Sequence, residues 1–217
     1  MSISNYDITK AETAKLFLRY DQRGMIEKYN LSHDESYLYL PMLGRMHRIC
    51  RATGLVEWSE DGFETAQEAD FNAAMTVYDV LCYAKPHAAL SGSFVRVNSL
   101  PGIVTASRVG ENITDSTAQY FQRHPESLLL ARDALGGVPA GKGDVSFRLA
   151  LFPFLPVLVQ FWHADEEFPP TLQLLWDANT LSFMHYETVW YAAGHIRQRL
   201  RRLAMACHSE RSEESHG

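Results

Sequence analysis

The segment Val157–Trp162 constrains the fold of this chain more than any other, because it is apolar at every position except Gln160. A strand of this composition has no polar side to turn to solvent and is buried on both faces. Val145–Leu151 and Leu172–Trp176 instead place apolar residues at every second position, which is typical of half-buried strands. We therefore predict that the three segments share one antiparallel sheet, with Val157–Trp162 at its centre.

In other segments the apolar residues recur at the spacing of a helix or in the pattern of short strands. The residues from Thr65 to Cys82 begin with a capping-box pattern, Thr65 to Glu68, and continue with apolar residues at helical spacing. A last helix is predicted from about Tyr186 to Met205, and short antiparallel strands between residues 36 and 58. The sequence thus predicts an α+β fold, mainly antiparallel sheet with peripheral helices, as a single domain over residues 1–205. Residues 206–217 contain no apolar side chain after Cys207, and we expect a disordered tail there.

Composition excludes several classes of protein. The formal net charge is −6, which argues against nucleic acid as a partner because nucleic-acid-binding proteins usually carry a basic excess. The longest apolar stretch is too short to cross a bilayer and contains two prolines, so we expect no membrane association. Three widely spaced cysteines and the lack of a signal-peptide pattern favour a cytoplasmic protein with free thiols.

The best candidate for a binding site is the segment His163–Glu167, here called the acidic turn. It holds one imidazole and three carboxylates between two predicted core strands, with Asp165, Glu166 and Glu167 in succession. Asp177, at the end of the following strand, is a further candidate binding residue. The same residues also fit an acidic turn that is simply solvated, and the sequence leaves both interpretations open.

Two kinds of chemistry are compatible with the acidic turn. His163, Asp165 and Glu167 could ligate a divalent metal, because one imidazole and two carboxylates form an acceptable nitrogen and oxygen ligand set. Neighbouring carboxylates could also raise the pKa of one of them and form an acid/base pair, although consecutive side chains rarely converge on one substrate atom. Either use requires the turn to be held in place, and we expect a buried Phe168 and the two prolines after it to do so.

Other chemical patterns are weaker. Residues Gly136–Gly143 come within one residue of the P-loop pattern, but this loop follows a predicted helix and opens a strand, the reverse of a phosphate-binding loop. A plain connection is therefore the preferred interpretation. His47 and His195 are scattered among charged neighbours, and we expect each to be either exposed or fully hydrogen-bonded.

A family resemblance covers nearly the whole chain up to about Leu203. It is carried by several short motifs: LPMLGR at residues 40–45, YAK at 83–85, LSGSFV at 90–95, LPG at 100–102, DEEFP at 165–169 and LWD at 175–177. The chain resembles an uncharacterised prokaryotic domain family of about 200 residues, found mostly in anaerobic bacteria and archaea. The resemblance implies one domain in a cytoplasmic setting and no known activity. Some relatives carry an attached Fe–S module, which this sequence lacks.

Two functions remain after these exclusions. The first is a soluble, non-catalytic accessory protein that binds a small ligand or a partner protein around the acidic turn. The alternative is a metal-assisted hydrolase that uses His163, Asp165 and Glu167. The chain has no nucleophile-elbow motif and no dinucleotide-binding fingerprint, which favours the first.

Overall fold

A computed structural model describes residues 4–102 and 115–214, with side chains described through residue 206. Within these residues, helices and two antiparallel sheets give an α+β fold, which confirms the predicted fold class. The chain divides into two compact units, each assembled from three stretches. The first contains Met1–Ala89, Phe152–Phe154 and Asn179–His195; the second contains Leu90–Leu151, Leu155–Ala178 and Ile196–Gly217. None of the described helices is both long enough and apolar enough to cross a membrane.

The first sheet contains five strands in sequence order: β1 (Ser32–His33), β2 (Tyr37–Met42), β3 (Arg45–Cys50), β4 (Val56–Ser59) and β5 (Gln67–Glu68). The hairpin between β2 and β3 turns on two residues, Leu43 and Gly44, which both have positive φ. Two such residues form the tight turn that matches strand twist, and they pair Met42 with Arg45. This register places Leu38 and Leu40 on the same buried face as Ile49.

Three helices belong to the first unit: α1 (Asn5–Phe17), α2 (Gln22–Tyr29) and α3 (Phe71–Tyr83). The start predicted for α3 was too early, since Gln67 and Glu68 form β5 and the Asp70 carboxylate caps the helix by accepting the Ala73 N–H at 2.9 Å. Asp is as good an N-cap as Thr, and it lies next to the first apolar residue of the helix.

The second sheet has the order β6-β10-β9-β8-β7. Its strands are β6 (Phe94–Arg96), β7 (Val138–Pro139), β8 (Val145–Phe152), β9 (Leu155–Trp162) and β10 (Thr171–Asp177). The predicted sheet is therefore confirmed, with β9 in the central position between β8 and β10. Val157, Val159 and Phe161 are fully buried, as the apolar composition of this strand requires.

Two short helices of the second unit, α4 (Ser116–Arg123) and α5 (Pro125–Ala134), precede β7. Asp115 caps α4 by accepting the N–H groups of Thr117 and Ala118. Phe121 of α4 is fully buried, and its ring meets the Phe161 ring of β9 edge to face with centroids 6.5 Å apart. Helix α4 thus covers the face of β9 on which Phe161 lies.

The last helix, α6, runs from Tyr186 to Glu214. Its backbone is helical beyond the end predicted near Met205, through residues that we expected to be disordered. Once a helix is formed, each added residue costs little, and the Glu and Arg residues of this segment have good helix propensity. Among its described side chains, which end at residue 206, the last buried one is that of Ala204, and the helical backbone continues beyond it.

We predict that deleting residues 208–217 leaves the thermal midpoint of unfolding unchanged. None of these residues is apolar, so the segment offers no hydrophobic side chain to bury. Differential scanning calorimetry of the full and shortened chains measures the difference directly. A fall of several degrees would contradict the prediction, because about 1 kcal/mol corresponds to roughly 2–4 °C for a chain of this size.

Candidate functional site

The acidic turn connects two paired strands of the second sheet. It follows β9 and precedes β10, whose first residue, Thr171, pairs with Trp162. Every residue of the turn is exposed. The sequence-based placement of this segment at the end of one core strand and before the next is therefore confirmed.

Asp165 fixes the backbone of the acidic turn with its own side chain. Its Oδ1 atom accepts hydrogen bonds from the Glu167 N–H at 2.9 Å and the Phe168 N–H at 2.7 Å. The Asp165 N–H in turn donates to the Phe168 carbonyl at 3.1 Å. A carboxylate used in this way replaces the backbone bonds that a longer structure would supply. Asp165 is therefore a structural residue of the turn.

His163 is held at the base of the turn by two side chains from elsewhere in the second unit. The Asp144 carboxylate accepts the His163 N–H at 2.7 Å. The Gln122 amide oxygen accepts the Ala164 N–H at 3.0 Å and lies 3.0 Å from His163 Nδ1. Because an amide oxygen only accepts, this contact requires the proton on Nδ1 and leaves Nε2 as the acceptor of the neutral ring.

Gln122 and Asp144 were missed as members of this site by sequence reasoning. Gln122 lies on α4, which is distant in sequence, and nothing in its local pattern distinguishes it from a surface residue. Asp144 follows a glycine directly before β8, a position that the sequence could have marked as a strand-end anchor. Together these two side chains prevent the backbone at His163 and Ala164 from moving independently of α4 and β8.

The turn does not offer a ready metal site. Among the described residues, no group of three or more His, Cys, Asp or Glu side chains is placed to hold a metal ion. His163, Asp165 and Glu167 are accordingly not drawn together as a ligand set. One oxygen of Asp165 is already occupied by two backbone N–H groups, which leaves fewer lone pairs for a cation.

Asp177 belongs to a different place from the acidic turn. It is the last residue of β10, whereas the turn precedes the first, so the length of the strand, roughly 20 Å, separates them. Asp177 is 1% exposed, and its two oxygens accept the N–H groups of Ser91 and Gly92 at 2.9 and 2.8 Å. These bonds anchor the segment that leads into β6. The carboxylate is thus committed to the backbone, as Asp165 is.

Phe168 was expected to be buried as the anchor of the turn, and this prediction was wrong. The side chain is 64% exposed. Hydrogen bonds to Asp165, Asp144 and Gln122 hold the turn, so no aromatic anchor is required. The consequence is a large apolar ring presented to solvent directly after two consecutive glutamates.

Packing accounts for the glycines of the loop that approaches the P-loop pattern. A Cβ atom on Gly141, whose φ is +85°, would lie 2.8 Å from Ser146 Oγ and 3.2 Å from side-chain atoms of Leu158 and Gln160. A Cβ on Gly143, at φ +129°, would lie 3.0 Å from the Phe161 carbonyl oxygen. The loop therefore lies against the face of β9 opposite α4, and its glycines permit that close approach.

Two histidines of the first unit are buried without normal hydrogen bonds. His47 is 0% and His195 is 5% exposed, and within the described residues no ring nitrogen of either forms a hydrogen bond of normal geometry. The nearest carboxylate oxygen, on Asp70, is 3.6 Å from His195 Nδ1. The expectation that both would be exposed or hydrogen-bonded was wrong. Burial, with the charges of His195 and Arg45, lowers the pKa of His47 to about 3.

For the acidic turn, we predict that Phe168→Ala changes the free energy of unfolding by less than about 1 kcal/mol, because most of the ring is exposed. Asp165→Ala should cost about 1 kcal/mol, as loss of a helix cap does, while Asp165→Asn should cost less because the amide oxygen still accepts. Urea denaturation measures all three, with Glu166→Gln as an unaffected control. A loss of 3 kcal/mol or more in Phe168→Ala would show that the ring is buried.

For His47, we predict that stability falls as pH is lowered from about 6.5 towards 3. In the unfolded chain His47 binds a proton with a pKa near 6.5, whereas in the folded chain its pKa is about 3. Between these two values, each unit by which the pH falls lowers the free energy of unfolding by at most about 1.4 kcal/mol. His47→Leu should flatten this dependence, and His33→Gln, which alters an exposed histidine, should not. Parallel losses of stability in wild type and His47→Leu would contradict the prediction.

No curated protein and no solved structure matches the chain. A family model covers residues 21–199, which include both sheets, the acidic turn and most of the helices. The chain belongs to the family described as a domain of unknown function (DUF3786).

Proposed function

We propose that this chain is a binding protein that docks a basic partner protein on the acidic turn and Phe168. The observation that supports this function is the 64% exposure of Phe168 on a turn whose backbone is fixed on both sides. Aromatic side chains contribute most of the binding energy at many protein interfaces, because they bury a large area at a low cost in side-chain entropy.

Rigidity of the turn favours this use. Asp165 holds the tip, Asp144 and Gln122 hold the base, and Pro169 and Pro170 restrict the chain that leaves it. A binding element that already has its bound shape loses little conformational entropy when the partner arrives. The cost that usually weakens binding by exposed loops is therefore small here.

Charge defines the kind of partner. Glu166 and Glu167 are exposed, and among the described residues neither forms an ion pair with Lys, Arg or His. Their two negative charges flank the Phe168 ring and would repel an acidic surface. A partner with an apolar pocket bordered by Lys or Arg complements all three side chains, with the charges speeding association and the ring slowing dissociation.

Site-specific photo-crosslinking tests the proposal. A photoreactive phenylalanine analogue at position 168 should crosslink a discrete partner in the producing cell, and the same analogue at Tyr6, which is 66% exposed, should not. With the purified partner, Phe168→Ala should weaken binding by at least about tenfold, the loss expected for a dominant interface residue. Tyr6→Ala should leave the affinity unchanged.

Charge reversal and metal titration distinguish docking of a basic partner from the metal-assisted hydrolase. Glu166→Lys combined with Glu167→Lys should lower the association rate and reverse its dependence on salt, because like charges then face the basic partner. The same crosslinked proteins at both positions, or equal affinities for wild type and Phe168→Ala, would contradict docking at the turn. A divalent metal that binds wild type in calorimetry, and binds Asp165→Asn and Glu167→Gln much more weakly, would favour the metal-assisted hydrolase instead.

A further inference from the structure

The first unit contains an imidazole oriented by a buried carboxylate. Asp79, on α3, is 6% exposed, and its two oxygens accept hydrogen bonds from the backbone N–H and from Nδ1 of His185, both at 2.7 Å. His185 precedes α6, and its side chain is 63% exposed. The Asp79 carboxylate is therefore buried, whereas the His185 ring that it holds is exposed to solvent.

This contact determines the tautomer of His185. An ionised carboxylate only accepts, so Nδ1 carries the proton and the neutral ring has its lone pair on Nε2. Among the described residues, the side chain of His185 hydrogen-bonds to Asp79 alone and through Nδ1, which leaves Nε2 available to a ligand. A carboxylate behind Nδ1 also stabilises the imidazolium that forms when Nε2 takes a proton, as in hydrolases that use a His–Asp pair.

A hydrogen-bond donor lies beside this acceptor. The Tyr83 ring, 41% exposed, meets the His185 ring edge to face with centroids 4.9 Å apart. The Tyr20 ring meets the Tyr83 ring edge to face, with centroids 5.4 Å apart. A phenol hydroxyl donates one hydrogen bond, so the partly exposed Tyr83 side chain brings a donor next to the His185 ring.

We propose that His185, Asp79 and Tyr83 form a water-activating site for small carboxylic esters. A base next to a neutral donor suits a reaction in which one atom loses a proton while another gains negative charge. Water gives a proton to His185 Nε2 as its oxygen bonds to the ester carbonyl carbon, and the Tyr83 hydroxyl donates to the carbonyl oxygen. When the bond to the alkoxy oxygen breaks, the imidazolium returns the proton to that oxygen, which yields the acid and the alcohol.

Asp79 acts in this scheme as a positioning residue, because it bonds to His185 and not to the water or the ester. A purely structural role is also physically reasonable, since the bond to the His185 backbone N–H caps the start of α6. The structural role and the positioning role of Asp79 depend on different bonds. A helix cap requires only the bond from the His185 backbone N–H, whereas positioning of a general base also requires the bond from His185 Nδ1. Variants of the His185 side chain therefore distinguish the two roles.

Hydrolysis of p-nitrophenyl acetate by the full chain is the test. His185→Gln keeps the backbone bond to Asp79, so it should fold normally and lose about tenfold of the rate. The matched control is His33→Gln: His33 is also exposed, but its Nδ1 contacts a backbone carbonyl, that of Leu31, at 3.2 Å. The His33→Gln variant should hydrolyse p-nitrophenyl acetate at the wild-type rate. Equal losses in the two variants, or a wild-type rate no greater than that of free imidazole, would overturn the proposal.

The pH profile and Tyr83 supply two further readouts. Asp79→Asn removes the charge behind the imidazole, so the midpoint of the pH–rate profile should move to lower pH. An unmoved midpoint in a folded Asp79→Asn variant would reduce Asp79 to a helix cap and overturn its positioning role. Tyr83→Phe should lower the rate severalfold without moving the midpoint, and an unchanged rate would overturn the assignment of the donor.

Discussion

The requirement to bury both faces of β9 organises the second unit. Val157, Val159 and Phe161 point to one side and are fully buried there, with Phe121 of α4 against Phe161. Leu158 and Gln160 lie on the other side, against a loop whose close approach requires glycine at position 141. Burial of each apolar side chain of this strand stabilises the fold by roughly 1.5–3 kcal/mol. A face of β9 left exposed to solvent would lose this contribution.

Three aspartates anchor the backbone of the second unit: Asp165 and Asp177, which the sequence suggested for binding, and Asp144, which it did not. Asp165 closes the acidic turn, Asp144 holds its base, and Asp177 holds the segment before β6. Charged acceptors are stronger than neutral ones, so a single aspartate can replace several backbone bonds at the end of a strand. The acidic turn consequently keeps its shape without a buried anchor, and the apolar residue that follows it, Phe168, is left exposed.

Local patterns predicted the sheets well, and they failed where burial depends on register. In β3 the two alternating sets, Arg45, His47 and Ile49 against Met46, Arg48 and Cys50, are about equally polar, so periodicity alone cannot choose the buried one. The choice follows from the two-residue turn at Leu43 and Gly44, which pairs Leu40 with His47 and carries the imidazole into the core. A hairpin analysis of LPMLGR could have found the burial of His47; nothing local indicated that His195 would lie near it.

The two kinds of histidine environment show why spatial partners, rather than residue type, determine chemical use. His47 is buried and forms no hydrogen bond of normal geometry among the described residues, so it stays neutral and its protonation opposes folding. His185 has the opposite arrangement, with a buried carboxylate on one nitrogen and solvent on the other. Asp79 and His185 are 106 residues apart, and each sits at a position that local patterns treat as an ordinary helical or pre-helical residue. Only folding of the first unit brings them together, and that proximity makes His185 fit for proton transfer.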